Sequence, residues 1–177
     1  DSVRGVNSIV SATSTSAEQT SYIDQLESFD TNGFSLGNNS GSGNYVNLAG
    51  NEYIAWAWKA GGAPTTDNVA SAGAAPTLGS VMIDGVASTA SLAGSLAAKK
   101  ISAGTKSGFS IVKYTAGSAT NQSIAHGLSS APKLVLIKKT SGTEGWIVWY
   151  EGAGTDNWLE LNSSSTKQTG AGWGGVP

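Results

Sequence analysis

Three short apolar runs crowd into residues 108–150: GFSIVKYT at 108–115, LVLIKK at 134–139 and GWIVWY at 145–150, each closed by a stretch rich in Gly, Ser, Thr, Asn or Pro. None is long enough for a stable helix, and the turn chemistry between them is that of consecutive antiparallel strands. A chain punctuated at this spacing is restricted to an all-β architecture. Such strands build a β-sandwich or a barrel.

Composition agrees with that restriction. The 177 residues include 24 Gly, and only 12% are charged, against about 25% in ordinary soluble domains. Solubility is carried by hydroxyls and amides. The net charge is −2 and the ten basic residues are scattered, which argues against nucleic-acid binding, because that needs clustered Lys and Arg. With no cysteine, disulfide frameworks, redox CxxC centres and thiolate zinc sites are excluded. No run approaches the roughly 20 apolar residues of a membrane-spanning helix, and no signal peptide is visible.

Along the chain, Val6 to Ala12 reads as a strand, and Tyr22 to Phe29 alternates imperfectly, as an edge strand does. Asp30-Thr31-Asn32-Gly33 reads as a hairpin turn in which Asn-Gly supplies the positive φ. Tyr53 to Lys59 reads as a strand with Ile54, Trp56 and Trp58 on one face. The stretch 62–107 begins with Gly and contains Pro64, Pro76 and little charge, which predicts a linker or extended connecting segment. Within it, Ser80 to Gly85 fits a short strand. Leu92 and Leu96 have helical spacing, weakened by Gly94, and an ordered segment packed on a neighbouring subunit fits as well.

The quoted phrases also carry a family resemblance. GFSIVKYT, AHGLSSAPKLVLIKK (125–139), EGWIVWY (144–150) and NWLELNSS (157–164), together with Arg4-Gly5, Ser28-Phe29-Asp30, Asn32-Gly33-Phe34, Leu36-Gly37 and the Tyr53–Trp58 run, resemble a tandem-repeat β domain of marine, cyanophage-like bacteriophage tail-fibre and virion structural proteins. The fold expected from this resemblance is antiparallel β-sandwich repeats, jelly-roll or lectin-like, joined by a Gly/Ala/Pro-rich linker. In the order implied, residues 1–61 are the C-terminal part of one repeat and 108–177 the N-terminal part of the next. NSIVSATSTSAEQT (7–20) aligns with NWLELNSSSTKQT (157–169) across a gap. The chain begins at Asp1, has Met82 as its only methionine and ends in Gly-Gly-Val-Pro. It is therefore expected to be a fragment whose exposed strand edges are covered by flanking sequence or by neighbouring subunits. The resemblance implies a structural, non-enzymatic virion protein of the tail fibre or an appendage, extracellular and contributing to host attachment. It implies self-association, commonly threefold in such fibres, with other virion proteins and a host surface glycan as further partners. A lectin-like glycan-binding module of a phage or a bacterial adhesin is the alternative. A polysaccharide-degrading spike is the remaining enzyme reading.

The chemistry-bearing residues point the same way. His126, the single histidine, lies at a turn with no nucleophile or carboxylate indicated beside it and reads as structural. Asp24, Asp30 and Asn32 lack the closing Glu of a calcium loop, and no metal or cofactor is expected. Glu144, Glu151, Asp156 and Glu160 have no spacing that places two carboxyls around a glycosidic bond. Of six tryptophans, Trp56 and Trp58 are expected in a core or interface, and Trp146 and Trp149 on opposite faces of one strand covered on both sides, by a second subunit if need be. Trp158 and Trp173 are the candidates for stacking on a sugar, with Asp156, Asn157 and Glu160 as hydrogen-bonding neighbours.

Overall fold

The computed structural model describes residues 1–20, 25–38 and 46–170. It is all-β: ten strands and one 3₁₀ turn, η1 (Glu151–Ala153), occur among the described residues, with no α-helix and no helix able to cross a membrane. The strands are β1 (Leu26–Asp30), β2 (Gly33–Leu36), β3 (Val81–Ile83), β4 (Val86–Ala87), β5 (Lys100–Gly104), β6 (Phe109–Lys113), β7 (Leu134–Lys138), β8 (Trp146–Tyr150), β9 (Asn157–Glu160) and β10 (Gln168–Thr169). They form a β1-β2 hairpin and two four-stranded sheets, ordered β4-β3-β5-β6 and β10-β9-β8-β7. Pairing is antiparallel except between β3 and β5, which are parallel. The chain divides into two compact units, one of residues 1–5 with 52–130, the other of 6–51 with 131–177.

The first unit holds the best-buried core, and it lies where a linker was expected. Val81, Ala98, Ile101 and Ala103 are fully buried, with Ile83, Leu92, Val112, Ile124, Ala125 and Leu128 packed on them. Most of these residues fall within 62–107. The linker reading failed because the core side chains are small and dispersed. β5 reads Lys-Ile-Ser-Ala-Gly, which lacks a long apolar run, yet as a middle strand it is covered on both faces. The proposed helical turn at Leu92–Leu96 is replaced by bridges of Gly94 and Leu96 to Ile124.

The Pro-flanked stretch before β3 is ordered by one amide. Asn68 is buried; its Nδ2 donates to the Ala98 carbonyl (3.1 Å), and its Oδ1 accepts from the Ala70 and Thr77 backbone N–H groups (3.0 and 3.1 Å). Its own N–H donates to the Lys99 carbonyl at 2.8 Å. A buried amide with every group paired costs little and determines the path of the loop around it.

The turn between β3 and β4 is Asp84-Gly85, with φ of 49° and 89°. Both central residues are left-handed, as a two-residue type I′ hairpin requires. This Asp-Gly signal is plain in the sequence beside the Val-Met-Ile run, and the reading of Ser80 to Gly85 as one strand missed it. Conversely, the expected positive φ at Asn32-Gly33 does not occur. The β1-β2 turn is Thr31-Asn32, with Asp30 paired to Gly33 and no left-handed residue there. Instead, the Asp30 carboxylate accepts from Ser28 Oγ (2.7 Å) and Ser35 Oγ (2.8 Å), tying the two strands together.

Asp84 also accepts from the Thr105 hydroxyl and from the Thr105 N–H (2.8 Å). These bonds, with the Lys106 charge nearby, hold its carboxyl below the ordinary aspartate range. A depressed folded-state pKa means that this stabilisation is present above the unfolded value, about 4, and is lost as pH falls through the lower folded value. Asp84→Asn tolerates the left-handed turn and should flatten the acid limb of stability below about pH 4. Melting temperatures of both proteins between neutral and acid pH check this; parallel curves would refute it.

In the second unit, β7, β8, β9 and β10 form an antiparallel meander. The sequence expectation joined the 108–115 strand to these. The structure instead pairs β6 with β5, so the strand order breaks between β6 and β7. Val6 to Ala12 is reduced to a single bridge, Ile9 with Gln19, whose two hydrogen bonds are both 2.9 Å. This hairpin and that of β9 with β10 come from the two segments that align in sequence.

Candidate functional site

The largest departure from expectation is the segment 52–59. Tyr53 to Lys59 is no strand of any sheet, and it is exposed throughout. Ile54 is 89%, Trp56 80% and Trp58 63% exposed, so Trp56 and Trp58 lie in no core of this chain; of the two expected places, core or interface, the first is overturned. Among the described residues, Ile54 to Trp58 make no backbone hydrogen bond. The alternation is that of a strand, but no described strand pairs with Ile54 to Trp58.

Its C-terminal end is firmly held. Ser107 Oγ donates to the Lys59 carbonyl (2.6 Å), and Gly85 N–H to the Gly61 carbonyl (2.9 Å). Trp58 stacks on Phe109 of β6, with centroids 5.9 Å apart and planes at 19°. Trp56 meets Trp58 edge to face at 6.3 Å and 85°, which places both rings on one side of the chain. Together with Ile54 they present roughly 500 Å² of largely apolar surface, a size that marks an interaction site. One face of Trp58 is taken by Phe109, and the Trp56 ring is perpendicular to it. The pair therefore offers no flat platform for successive sugar rings.

The sequence-predicted glycan residues lie elsewhere, on β9 and its approach. Along β9, Trp158 and Glu160 fall on one face and Asn157 on the other, while Asp156 lies in the turn before the strand. Trp158 is half-buried and pairs with Gln168. Asn157 is committed to the fold: its Nδ2 donates to the Ala153 carbonyl (2.6 Å) and its Oδ1 accepts from Thr169 Oγ1 (2.9 Å). Trp158 and Glu160 thus share a face, Asp156 lies in the preceding turn, Asn157 does not join them, and Trp173 lies outside the described residues, as does Asp24.

The remaining polar candidates hold structure. Lys133 pairs with Glu151 at 2.9 Å and Lys139 with Glu144 at 2.7 Å. The Lys139 ammonium holds the Glu144 carboxyl below its ordinary range, chiefly through that hydrogen bond. His126 Nδ1 accepts from the Leu128 N–H at 3.0 Å, and the His126 carbonyl accepts from Ser110 Oγ. Among the described residues, no group of three His, Cys, Asp or Glu could hold a metal ion.

Trp146 and Trp149 do fall on opposite faces of β8. Trp149 is 4% exposed, and its Nε1 donates to the Gly154 carbonyl at 3.1 Å. Val148, on the other face, is buried too. Cover for both comes from within the chain, so this strand requires no second subunit. Trp146 is half-buried, and its Nε1 reaches the Ser11 carbonyl at 2.7 Å.

These features define a low-charge, all-β domain protein with an exposed aromatic segment. The chain belongs to the family described as a domain of unknown function, DUF7483, whose profile matches it twice, over residues 1–84 and 82–175. No curated protein and no solved structure matches it.

Proposed function

We infer that the chain is a structural, non-enzymatic segment of a bacteriophage virion appendage of the tail-fibre type, extracellular, assembling with copies of itself and with other virion proteins and contributing to host attachment. The observation that carries this reading is the exposed Ile54–Trp58 segment, apolar on one side and unpaired along its backbone. Such a segment is a liability in an isolated domain and an asset in an assembly. The all-β fold, the low charge and the resemblance of the strand phrases to tail-fibre repeats support it.

A lectin-like role is the second reading, favoured by Trp158 and Glu160 on one face of β9, an aromatic beside a carboxylate able to accept from sugar hydroxyls.

Gold-labelled antibodies against the recombinant chain, applied to phage particles encoding it, test the first reading. Label along a tail appendage is the expected result, and its absence from intact particles overturns the reading. A glycan array with wild type and Trp158→Ala tests the second: binding lost in the variant with melting unchanged supports the lectin, and no binding by either refutes it.

A further inference from the structure

The stretch Ile54 to Trp58, which makes no backbone hydrogen bond among the described residues, has a matching acceptor on the same chain. β7 ends the order β10-β9-β8-β7 and is paired only to β8 among the described residues. Its outer backbone is open to a further strand. On one face of this edge lie Leu134 and Leu136, 56% and 45% exposed, with Lys138 following at the same spacing.

We propose that residues 52–58 of one copy add as an antiparallel strand to the free edge of β7 in a second copy of this chain, with Ile54 opposite Leu136 and Trp56 opposite Leu134. This names the partner surface for the assembly inferred above and rests on that reading.

Charge and hydropathy select this register together. With Ile54 facing Leu136, Glu52 faces Lys138. Glu52 makes no ion pair among the described residues. Lys138 Nζ is met by the carbonyls of Thr15, Lys139 and Glu144 (3.1, 3.0 and 2.8 Å) and by no carboxylate at ion-pair distance, though its charge also acts on the Glu144 carboxylate. Opposite charges directly across a pair stabilise it. A shift of two residues would set Ile54 against Lys138 and Glu52 against Thr140, whose carbonyl already accepts from the Glu18 N–H at 2.9 Å. A shift of one residue would turn Ala55 and Ala57, instead of Ile54 and Trp56, toward the leucines. At the other end Trp58 comes opposite Pro132, which has no N–H to contribute and closes the edge.

Donor and acceptor are different surfaces, so the contact is heterologous, and its repetition gives a ring or an open row of copies. Either suits a repeated element of an appendage.

The chain has no native cysteine, which makes the register directly testable. Ile54→Cys and Leu136→Cys variants are purified separately, mixed and oxidised with diamide. Residues directly opposite in an antiparallel pair have Cα atoms about 4.5–5.5 Å apart, within disulfide reach. The expected product is the mixed disulfide dimer, formed in preference to either homodimer. Ala55→Cys mixed with Leu136→Cys, which places the thiols on opposite faces, should link poorly. Trp56→Glu should weaken self-association by at least about tenfold in sedimentation equilibrium while leaving the melting temperature unchanged. A wild-type chain that self-associates without giving the mixed disulfide overturns this pairing and leaves the assembly reading standing. A wild-type chain that stays monomeric overturns both the pairing and the assembly. An Ile54→Cys/Leu136→Cys double variant that closes within one monomer, while the mixture fails to link, also overturns the second copy as occupant.

Discussion

Trp149→Ala should lower the free energy of unfolding by about 3–5 kcal/mol, the usual cost of removing a buried large aromatic. The indole is almost wholly enclosed, stands opposite Val135 on β7, and spends its only donor on the Gly154 carbonyl. Truncation leaves a cavity next to the central strand of its sheet and an orphaned acceptor in the turn that follows. Trp56→Ala is the matched control: an exposed side chain without a buried partner should change stability by no more than about 0.5 kcal/mol. Urea unfolding of both variants, followed by circular dichroism so that lost indole fluorescence does not confuse the reading, compares them directly. Equal effects would show that β8 is not the covered strand described above.

The second large effect is expected at Gly61. A Cβ there would lie 2.2 Å from the Ala103 carbonyl oxygen, 2.4 Å from the Met82 carbonyl oxygen and 2.6 Å from the Ala103 nitrogen. All three are backbone atoms of the parallel β3-β5 pair, and no rotamer change relieves the clash. Either the segment lifts off the sheet or β3 and β5 separate. Overpacking a core usually costs about 1–3 kcal/mol, and a clash with backbone belongs at or above the top of that range. Gly61→Ala should therefore melt well below wild type. It should also raise proteolytic cleavage at Lys59, because the hydrogen bond from Gly85 to the Gly61 carbonyl holds the end of the aromatic segment. A variant with wild-type melting would mean that Gly61 does not touch the sheet.

The two variants bear on assembly in opposite ways. Trp149→Ala leaves the donor segment 52–58 intact, whereas Gly61→Ala releases its anchor. If this segment adds to β7 of a second copy as proposed, loosening its root should slow association by adding an ordering cost to docking.

Local structure was legible where a run of apolar residues coincides with a clear stop. β6, β7, β8 and β9 all fall inside the phrases 108–115, 134–139, 145–150 and 157–164, because alternating branched and aromatic side chains closed by Gly, Pro and Asn suit few other conformations. The all-β class follows from those runs alone. What the same chemistry could not state was pairing. β6 joins β5 across a tight turn and not β7, and β5 lies parallel to β3, since strand partners are chosen by contacts remote in sequence. Burial was equally out of reach. The core strand Lys100–Gly104 reads as linker because its buried residues are mostly small, while Tyr53 to Lys59, which alternates like a strand, belongs to no sheet and is exposed throughout. Sequence determines which faces are apolar; only tertiary structure decides which of them finds cover, because cover depends on a second surface of matching shape being within reach. In this chain Trp149 has such a surface, and Trp56 does not.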